Sequence, residues 1–261
     1  MHFENSRFLI FQLTKREILA RYRGSALGVV WSVVNPLVML IVYTFVFSVV
    51  FTARWQIDDI SENTNFALIL FAGLSLHNFF SECTNRAPSL ILSNINFVKK
   101  VVFPTEILSV VSVLTSLFHL IVSLVLLLVA KLLITGHLAL SVVLLPMLVI
   151  PFVLGCIGIS LFLSSLGVYF RDITHLTGLF TTMMLFMSPI FYPLDAVPES
   201  FQVFIRLNPL SQVYEMGRAI MVYGQTGNLI DYLVIWATSL TIFTLGYFWF
   251  SKTKTGFADV L

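Results

Sequence analysis

Charged side chains are scarce in this sequence of 261 residues: they make up 11% of it, against 58% for hydrophobic residues. A water-soluble domain needs roughly a quarter of its residues to be charged, because its surface faces water. The composition therefore excludes an ordinary soluble domain and predicts an integral membrane protein. The formal net charge of +2 gives no reason to propose a nucleic-acid partner.

Cysteine is nearly absent as well. The two cysteines, Cys83 and Cys156, lie at the end of one apolar run and inside another, and their spacing fits no metal motif. A disulfide framework is unusual in such a chain, so we interpret both as small apolar residues and expect no metal site.

The motifs of common enzyme classes are also missing. The sequence contains no G-x-x-x-x-G-K-[ST] phosphate loop, no H-E-x-x-H and no G-x-S-x-G. We therefore expect that this chain is not an enzyme, with no catalytic residues and no bound cofactor. The first 28 residues are unlike a signal peptide, because they carry five lysines and arginines and lack a short apolar core.

Long apolar runs are what the sequence has in abundance. A spanning helix needs about 20 apolar residues, because each adds only about 1.5 Å of rise. Six runs fit: Val29–Phe51, Phe66–Ser81, Ile107–Ala130, Leu138–Leu166, Leu176–Tyr192 and Ile230–Phe250. The fourth is overlong and contains Pro146 and Pro151, which predicts a kink or a partly interfacial segment.

Other segments predict helices that do not span. Ser6–Arg23 can form an amphipathic helix lying in the membrane interface. Before the last span, Ser200–Leu207 and Ser211–Tyr223 predict two short external helices, each capped by its first serine, with Gly224 ending the second. The chain is thus predicted to be a single all-α transmembrane domain, with residues 1–28 as a cytoplasmic interfacial helix, 29–250 as the membrane-spanning region and 251–261 as a cytoplasmic tail.

Lysine and arginine are distributed unevenly between the two predicted sides of the membrane. With the N-terminus inside, eleven fall in cytoplasmic connections and four in external ones. The positive-inside rule then predicts that both termini are cytoplasmic.

Four stretches resemble the polysaccharide-exporting branch of the ABC-2 permease family. They occur in the family's order and together cover most of the chain. They are Arg21–Ser25 continuing to Asn35-Pro36, then Asn96–Pro104, then Leu166–Ile173, and finally Ser188–Pro193 followed by Asn208–Leu210.

The resemblance implies the membrane subunit of an ABC exporter for lipid-linked polysaccharide in the bacterial inner membrane. O-antigen is the leading substrate, and capsule or teichoic acid stay open. Such a permease is expected to form a homodimer that binds two copies of a separate nucleotide-binding ATPase, which holds the ATP and Mg. In this resemblance Asn96–Pro104 matches the cytoplasmic coupling region, and Ser200–Tyr223 matches gate helices at the external mouth.

The candidate coupling residues are Phe97, Lys99, Lys100, Glu106, Arg171 and Asp172. A transporter driven by a partner needs a stiff, charged element that protrudes from the bilayer, because force passes through packed contacts. The alternative is that Lys99 and Lys100 only enforce topology. Arg171 and Asp172 then form only a solvated turn.

The candidate residues for contact with a glycan are Tyr43, Phe47, Phe51, Phe191 and Tyr192. The first three form one stripe on the first span. The other two precede Pro193, where the fifth helix is predicted to end near the external mouth. Aromatic rings can stack on the apolar faces of sugars, although such a stripe can equally serve helix packing.

Polar residues inside the spans have two readings. His119, in the third span, could relay protons or make an interhelical hydrogen bond. We favour the hydrogen bond, because no carboxylate lies in the interior of the same span. His77 and Asn78 are equally ambiguous. Two other functions stay open: an ABC-2 permease for a drug or small lipid, and an ion-coupled secondary transporter, which would need buried carboxylates and repeat symmetry.

Overall fold

A computed structural model describes residues 2–46, 66–99 and 103–260, and in these ranges the chain contains helices and no β-strand. This confirms the predicted all-α membrane protein. The α-helices are α1 (His2–Arg21), α2 (Trp31–Thr44), α3 (Phe66–Arg86), α4 (Ile95–Lys99), α5 (Glu106–Thr135), α6 (Leu145–Tyr169), α7 (Ile173–Phe186), α8 (Glu199–Leu207), α9 (Pro209–Arg218), α10 (Leu229–Thr253) and α11 (Phe257–Val260).

Within the described ranges, four helical segments are long and apolar enough to cross a membrane, and they contain α3, α5, α6 and α10. The helices α2 and α7 are apolar but shorter. Each of the six predicted runs therefore contains a helix. The last part of the first run, up to Phe51, lies outside the described residues.

The fifth predicted span is shorter than the sequence suggests. The prediction was a helix over Leu176–Tyr192, whereas α7 ends at Phe186. Its 14 residues rise only about 21 Å, less than the roughly 30 Å of a hydrocarbon core. Ser188-Pro189 explains the early end, because a residue before proline avoids the helical region and proline has no N–H to donate.

The overlong fourth run divides into a short 3-10 helix, Leu140–Leu144, followed by α6. Pro146 lies in the first turn of α6. Backbone N–H groups there have no partner within the helix, so proline, which lacks an N–H, costs no hydrogen bond. Pro151 is buried inside the helix. The run is thus one spanning helix with a short lead-in, and a kink at Pro151 stays a prediction.

The bundle is built around α3. This helix packs against α2, α5, α7 and α9, and every residue from Phe66 to Phe80 is buried except Asn78. Two ends can be distinguished: the α4 end, where α3 and α6 finish and α5 begins, and the α9 end, where α5 finishes and α10 begins.

The helices α6 and α10 pack with their backbones in direct contact. A Cβ added at Gly246 of α10 would lie 2.1 Å from the carbonyl oxygen of Gly158 on α6. A Cβ added at Gly158 would lie 2.5 Å from the Cα of Phe243. Small residues permit such close helix approach, which is a common source of stability between membrane helices.

The first helix lies beside α5. Phe8, Phe11 and Leu19 are exposed, but so are Gln12, Lys15 and Arg16, and Leu13 and Ile18 are half-buried together with Thr14 and Glu17. Apolar and polar side chains are therefore mixed on both faces, so the amphipathic pattern predicted for Ser6–Arg23 is not found, and its place in the membrane interface stays a prediction.

The two predicted external helices are present, but their starting points differ from the prediction. Pro198, not Ser200, occupies the N-cap position of α8. Asn208, not Ser211, caps α9, and its side-chain oxygen accepts from the Leu210 N–H at 3.1 Å. Asparagine is a stronger N-cap than most residues, and Pro209 suits the first turn that follows. Gly224 ends the second segment in the left-handed conformation, as predicted.

Candidate functional site

A pocket of about 250 Å³ lies between α2, α3 and α5. Residues three or four positions apart share one face of a helix, and by that spacing one face of α2 and one of α3 line the pocket. Asn35 and Tyr43 come from α2, and Phe71, Ser75 and Asn78 come from α3. The lining therefore combines aromatic rings with amide and hydroxyl groups.

The end of the pocket nearest α1 is charged. The carboxylate of Glu82 accepts from the guanidinium of Arg21, the last residue of α1. His119 of α5 places its Nδ1 3.4 Å from the other oxygen of Glu82. Arg86, one turn further along α3, lies 3.6 Å from the same carboxylate. One half-buried acid thus joins three chain segments.

The imidazole of His119 completes this network. Its Nδ1 lies 3.1 Å from the Arg21 guanidinium and its Nε2 lies 3.0 Å from the Tyr22 hydroxyl. The ring is thus held by Arg21, Tyr22 and Glu82 together. His119 therefore makes the hydrogen bonds between segments that the packing interpretation predicts.

A second ion pair reinforces the attachment of α1. Arg86 also donates to the carboxylate of Glu17, which lies one turn before Arg21 on α1. The helix α1 is thus bound to α3 by two acid–base contacts, with Glu82 and Glu17 compensated by Arg21 and Arg86. No three histidine, cysteine, aspartate or glutamate side chains gather as a metal site would need in the ranges that the structure describes.

At the α4 end, the structure places some of the candidate coupling residues. The ring of Phe97 packs on Phe103, with centroids 4.8 Å apart. Glu106 begins α5 and pairs with Lys254 at the end of α10, with 3.5 Å between the charged atoms. Lys99 is the last residue of α4, and Lys100 lies outside the described residues.

Arg171 and Asp172 lie in the short turn between α6 and α7, and both are exposed. The carbonyl of Asp172 accepts from the His175 N–H at 3.0 Å, which starts α7. The turn is therefore accessible at the same end of the bundle as Phe97 and Glu106. Its role in coupling stays a prediction.

The candidate glycan-contact residues fall into two groups. Tyr43 lines the pocket, whereas Phe47 and Phe51 lie outside the described residues. Phe191 stacks on Phe186 with centroids 5.8 Å apart, and the Tyr192 hydroxyl donates to the carbonyl of Phe186 at 2.7 Å. These two aromatics fold back over the end of α7 instead of extending it, which corrects their expected position on a helix.

The α9 end carries a separate polar contact with α3. The buried hydroxyl of Tyr214 lies 3.2 Å from Nδ1 of His77, which ties α9 to the central helix. Beside it on α9, burial raises the pKa of the Glu215 carboxyl, and the neighbouring guanidinium groups of Arg218 and Arg206 oppose that rise.

The described helices, four of which are long and apolar enough to cross a membrane, define a multi-pass membrane protein. The chain belongs to the ABC-2 type transporter family, whose model matches residues 9–222.

Individual relatives are similar over nearly the whole chain. The O-antigen export system permease protein RfbA of Klebsiella pneumoniae is 28% identical over 254 residues, covering 97% of this chain and 95% of the relative. RfbA of Myxococcus xanthus is 28% identical, with the same coverage. The polysialic acid transport protein KpsM of Escherichia coli is 27% identical, covering 92% of each chain.

Sequence reasoning did not single out Glu82 or Arg21 as parts of one site. Arg21 was part of a family-like stretch and Glu82 followed an apolar run, and 61 positions separate them. The available signal was an acidic residue one turn before Arg86 at the end of a span. Charges within reach of the membrane are costly unless they are paired, which is a reason to look for a partner.

Proposed function

We propose that this chain is the permease subunit of an ABC exporter that moves lipid-linked polysaccharide, with O-antigen as the leading substrate, across the bacterial inner membrane. The observation that carries the proposal is the similarity, over 92–97% of the chain, to proteins named for O-antigen export and polysialic acid transport. A drug or small-lipid permease of the same family is less well supported, because those relatives are named for glycans.

In this proposal two copies of the chain form the passage and two copies of a separate ATPase supply energy. ATP and Mg are held by the ATPase, since the chain itself has no phosphate loop. Closure of the ATPase subunits pushes on the coupling elements at the α4 end. The resulting rotation opens a lateral gate for the lipid and a central passage for the glycan.

The proposed orientation places the α4 end and both termini in the cytoplasm. Its support is the distribution of lysine and arginine, eleven against four. The α4 end carries the exposed Arg171 and the Lys254–Glu106 pair, which suits a face that docks onto a soluble partner. On this orientation α8 and α9 lie at the external mouth.

The ion-coupled alternative loses support from the same site. Glu82 does lie beside His119, as a proton relay would need. However, Arg21 and Arg86 both compensate this carboxylate. An acid held between two guanidinium groups favours its charged form and is a poor proton carrier.

Depletion of the chain from its own cells tests the proposed function. We expect lipid-linked polysaccharide to accumulate on the cytoplasmic side and surface polysaccharide to disappear, with both restored by a plasmid copy. Undiminished surface polysaccharide in depleted cells would reject the function. ATP hydrolysis by the purified chain, free of its partner, would reject the proposal that a separate subunit hydrolyses the ATP.

The coupling role is tested by reversing charge at Lys99 and Lys100 together, and separately at Arg171. We expect the partner to keep hydrolysing ATP while export falls. Membrane insertion is checked first, because these residues also influence topology. The matched control is Asp231→Lys, which reverses an exposed charge in the first turn of α10, at the opposite end of the bundle. Normal export by a correctly inserted double reversal would refute the coupling role.

A further inference from the structure

The pocket between α2, α3 and α5 has an opening and a chemistry that point to a ligand. Asn78 is the exposed member of the otherwise buried stretch Phe66–Phe80, and it lies in the pocket wall. Its side chain therefore marks the pocket's open side. Apolar ring surface is supplied by Tyr43 and Phe71, and hydrogen-bonding groups by Asn35 and Ser75.

Charge decides which ligand class fits this lining. A phosphate or other anion would meet the carboxylate of Glu82, and the Arg21 guanidinium that could attract it is already paired with that carboxylate. Like charges at such close range repel each other. A neutral polyol avoids this conflict, because one hydroxyl can donate to Glu82 and another can accept from Arg21.

We propose that this pocket binds one neutral sugar ring of the exported glycan, with Tyr43 and Phe71 packing on the ring and the Arg21–Glu82 pair bridging its hydroxyls. The inference rests on the proposed function and gives it a specific subsite. At about 250 Å³ the pocket is smaller than the roughly 300–1,000 Å³ of sites for drug-sized ligands, which suits a single ring whose neighbours in the polymer extend through the open side.

The position of the pocket suggests how a bound sugar affects the contact between α1 and α3. Arg21, the last residue of α1, and Tyr22, which follows it, line one wall of the pocket. The same helix also binds Arg86 through Glu17. A sugar that shares the hydrogen bonds of Arg21 and Glu82 changes the contact between α1 and α3. A binding site with several modest contacts, instead of one tight one, also lets a repeating polymer move on.

Photocrosslinking tests occupancy directly. The photoreactive residue p-azidophenylalanine, which is close to tyrosine in size, is placed at Tyr43 or Phe71, in the full chain with its partner, in cells whose own lipid-linked glycan is radiolabelled through its sugars. We expect a crosslinked band that carries the sugar label. The control is the same residue at Phe248 on α10, which is 59% exposed and lies away from the pocket.

Two outcomes overturn the pocket proposal. One is a pair of fully active variants that give no labelled band at Tyr43 or Phe71. The other is a crosslinked band that loses its sugar label but keeps the lipid phosphate when mild acid cleaves the bond between the first sugar and the lipid phosphate, which would place an anionic headgroup in the pocket.

Filling the pocket provides a second, independent test. Ser123→Leu adds bulk to the α5 wall without removing any member of the ion-pair network. We expect export to fall by about tenfold or more, since a pocket filled by even a few carbons discriminates on that scale. Protein abundance and partner binding should stay normal. The matched control is Thr241→Leu on α10, where the side chain is exposed.

The two proposals fail in distinguishable ways. If Ser123→Leu exports normally while depletion of the chain abolishes export, the pocket proposal is wrong and the proposed function stands. If depletion leaves surface polysaccharide unchanged, the proposed function itself is wrong. A loss of export that matches a loss of protein abundance would assign Ser123 to packing and remove the pocket's support.

Discussion

Two regions of this protein solve the problem of joining helices in opposite ways. Between α6 and α10, glycines bring the backbones into contact and leave no room for a side chain. Between α2, α3 and α5, serine, asparagine, histidine and glutamate line a cavity of about 250 Å³. The comparison teaches that the first region is built to stay fixed, while the second keeps space and hydrogen-bonding capacity for something else.

The largest effect is expected at the glycine contact. Gly246→Ala places a methyl group 2.1 Å from the carbonyl oxygen of Gly158, so the two helices must separate. Overpacking typically costs about 1–3 kcal/mol and sometimes more, and we expect about 3 kcal/mol here because the obstacle is backbone and cannot rotate away. Thermal unfolding of the purified protein in nanodiscs measures the loss.

Gly178→Ala on α7 is the matched control. Nothing within the described chain lies within 4 Å of a Cβ added there. Alanine is the better helix former by about 1 kcal/mol, so we expect this variant to be as stable as the parent or more stable. Equal melting temperatures for Gly246→Ala and Gly178→Ala would contradict the direct contact of α6 and α10.

Much of the fixed framework is predictable from the sequence. Apolar runs of sufficient length predict helices because the backbone must satisfy its own hydrogen bonds in lipid. Helix ends were less predictable, as α7 shows: hydropathy continues through Ile190 and Phe191, but Pro189 stops the helix. At α9 the cap is Asn208, whose side chain also donates to Ser188 at 3.1 Å, a long-range contact that no local pattern indicates.

The polar region was far less predictable. Topology rules account for a charge near a span without requiring a partner, and so no sequence pattern joins Glu82 to Arg21. Their pairing depends on how α1 lies against α3, which is a tertiary property. His119 was correctly expected to bond to another segment, but the identity of its partners, Tyr22 and Arg21, came only from the structure.

The second prediction breaks the polar region at its centre. Glu82→Ala removes the shared partner of Arg21, Arg86 and His119. Removing one member of a fully buried pair costs about 3–5 kcal/mol. We expect about 2 kcal/mol, because the Arg21 side chain is 46% exposed and water can compensate part of its charge.

Glu199→Ala is the control, since Glu199 is an exposed acid in the first turn of α8. Thermal unfolding is compared for the two variants, and limited proteolysis reports whether α1 is released. Release of α1 by Glu82→Ala alone is the expected result. Unchanged proteolysis and stability would show that the network does not hold α1 in place.

The third prediction concerns a single hydrogen bond in an otherwise packed setting. Tyr214→Phe keeps the ring but removes the hydroxyl that contacts His77 at 3.2 Å. A net loss of about 1 kcal/mol is typical for such a bond. Tyr247→Phe on α10, where the ring is exposed, should change stability by much less, and the two unfolding curves provide the measurement. A larger loss for Tyr247→Phe would contradict the role of the α9 contact.

The smallest effect is expected where the two regions meet. Lys254 at the end of α10 pairs with Glu106 at the start of α5, and the two side chains are 40% and 28% exposed. An exposed pair contributes about 0–1 kcal/mol and weakens with salt, so Lys254→Ala should alter the melting temperature little.

Export separates two explanations of Glu106. If Glu106 serves only to pair with Lys254, then Glu106→Ala, Lys254→Ala and the double variant should export equally. If Glu106 also contacts the ATPase, as the coupling prediction holds, Glu106→Ala and the double variant should lose export and Lys254→Ala should not. Equal export by all three would leave Glu106 as a surface ion pair and remove it from the coupling element.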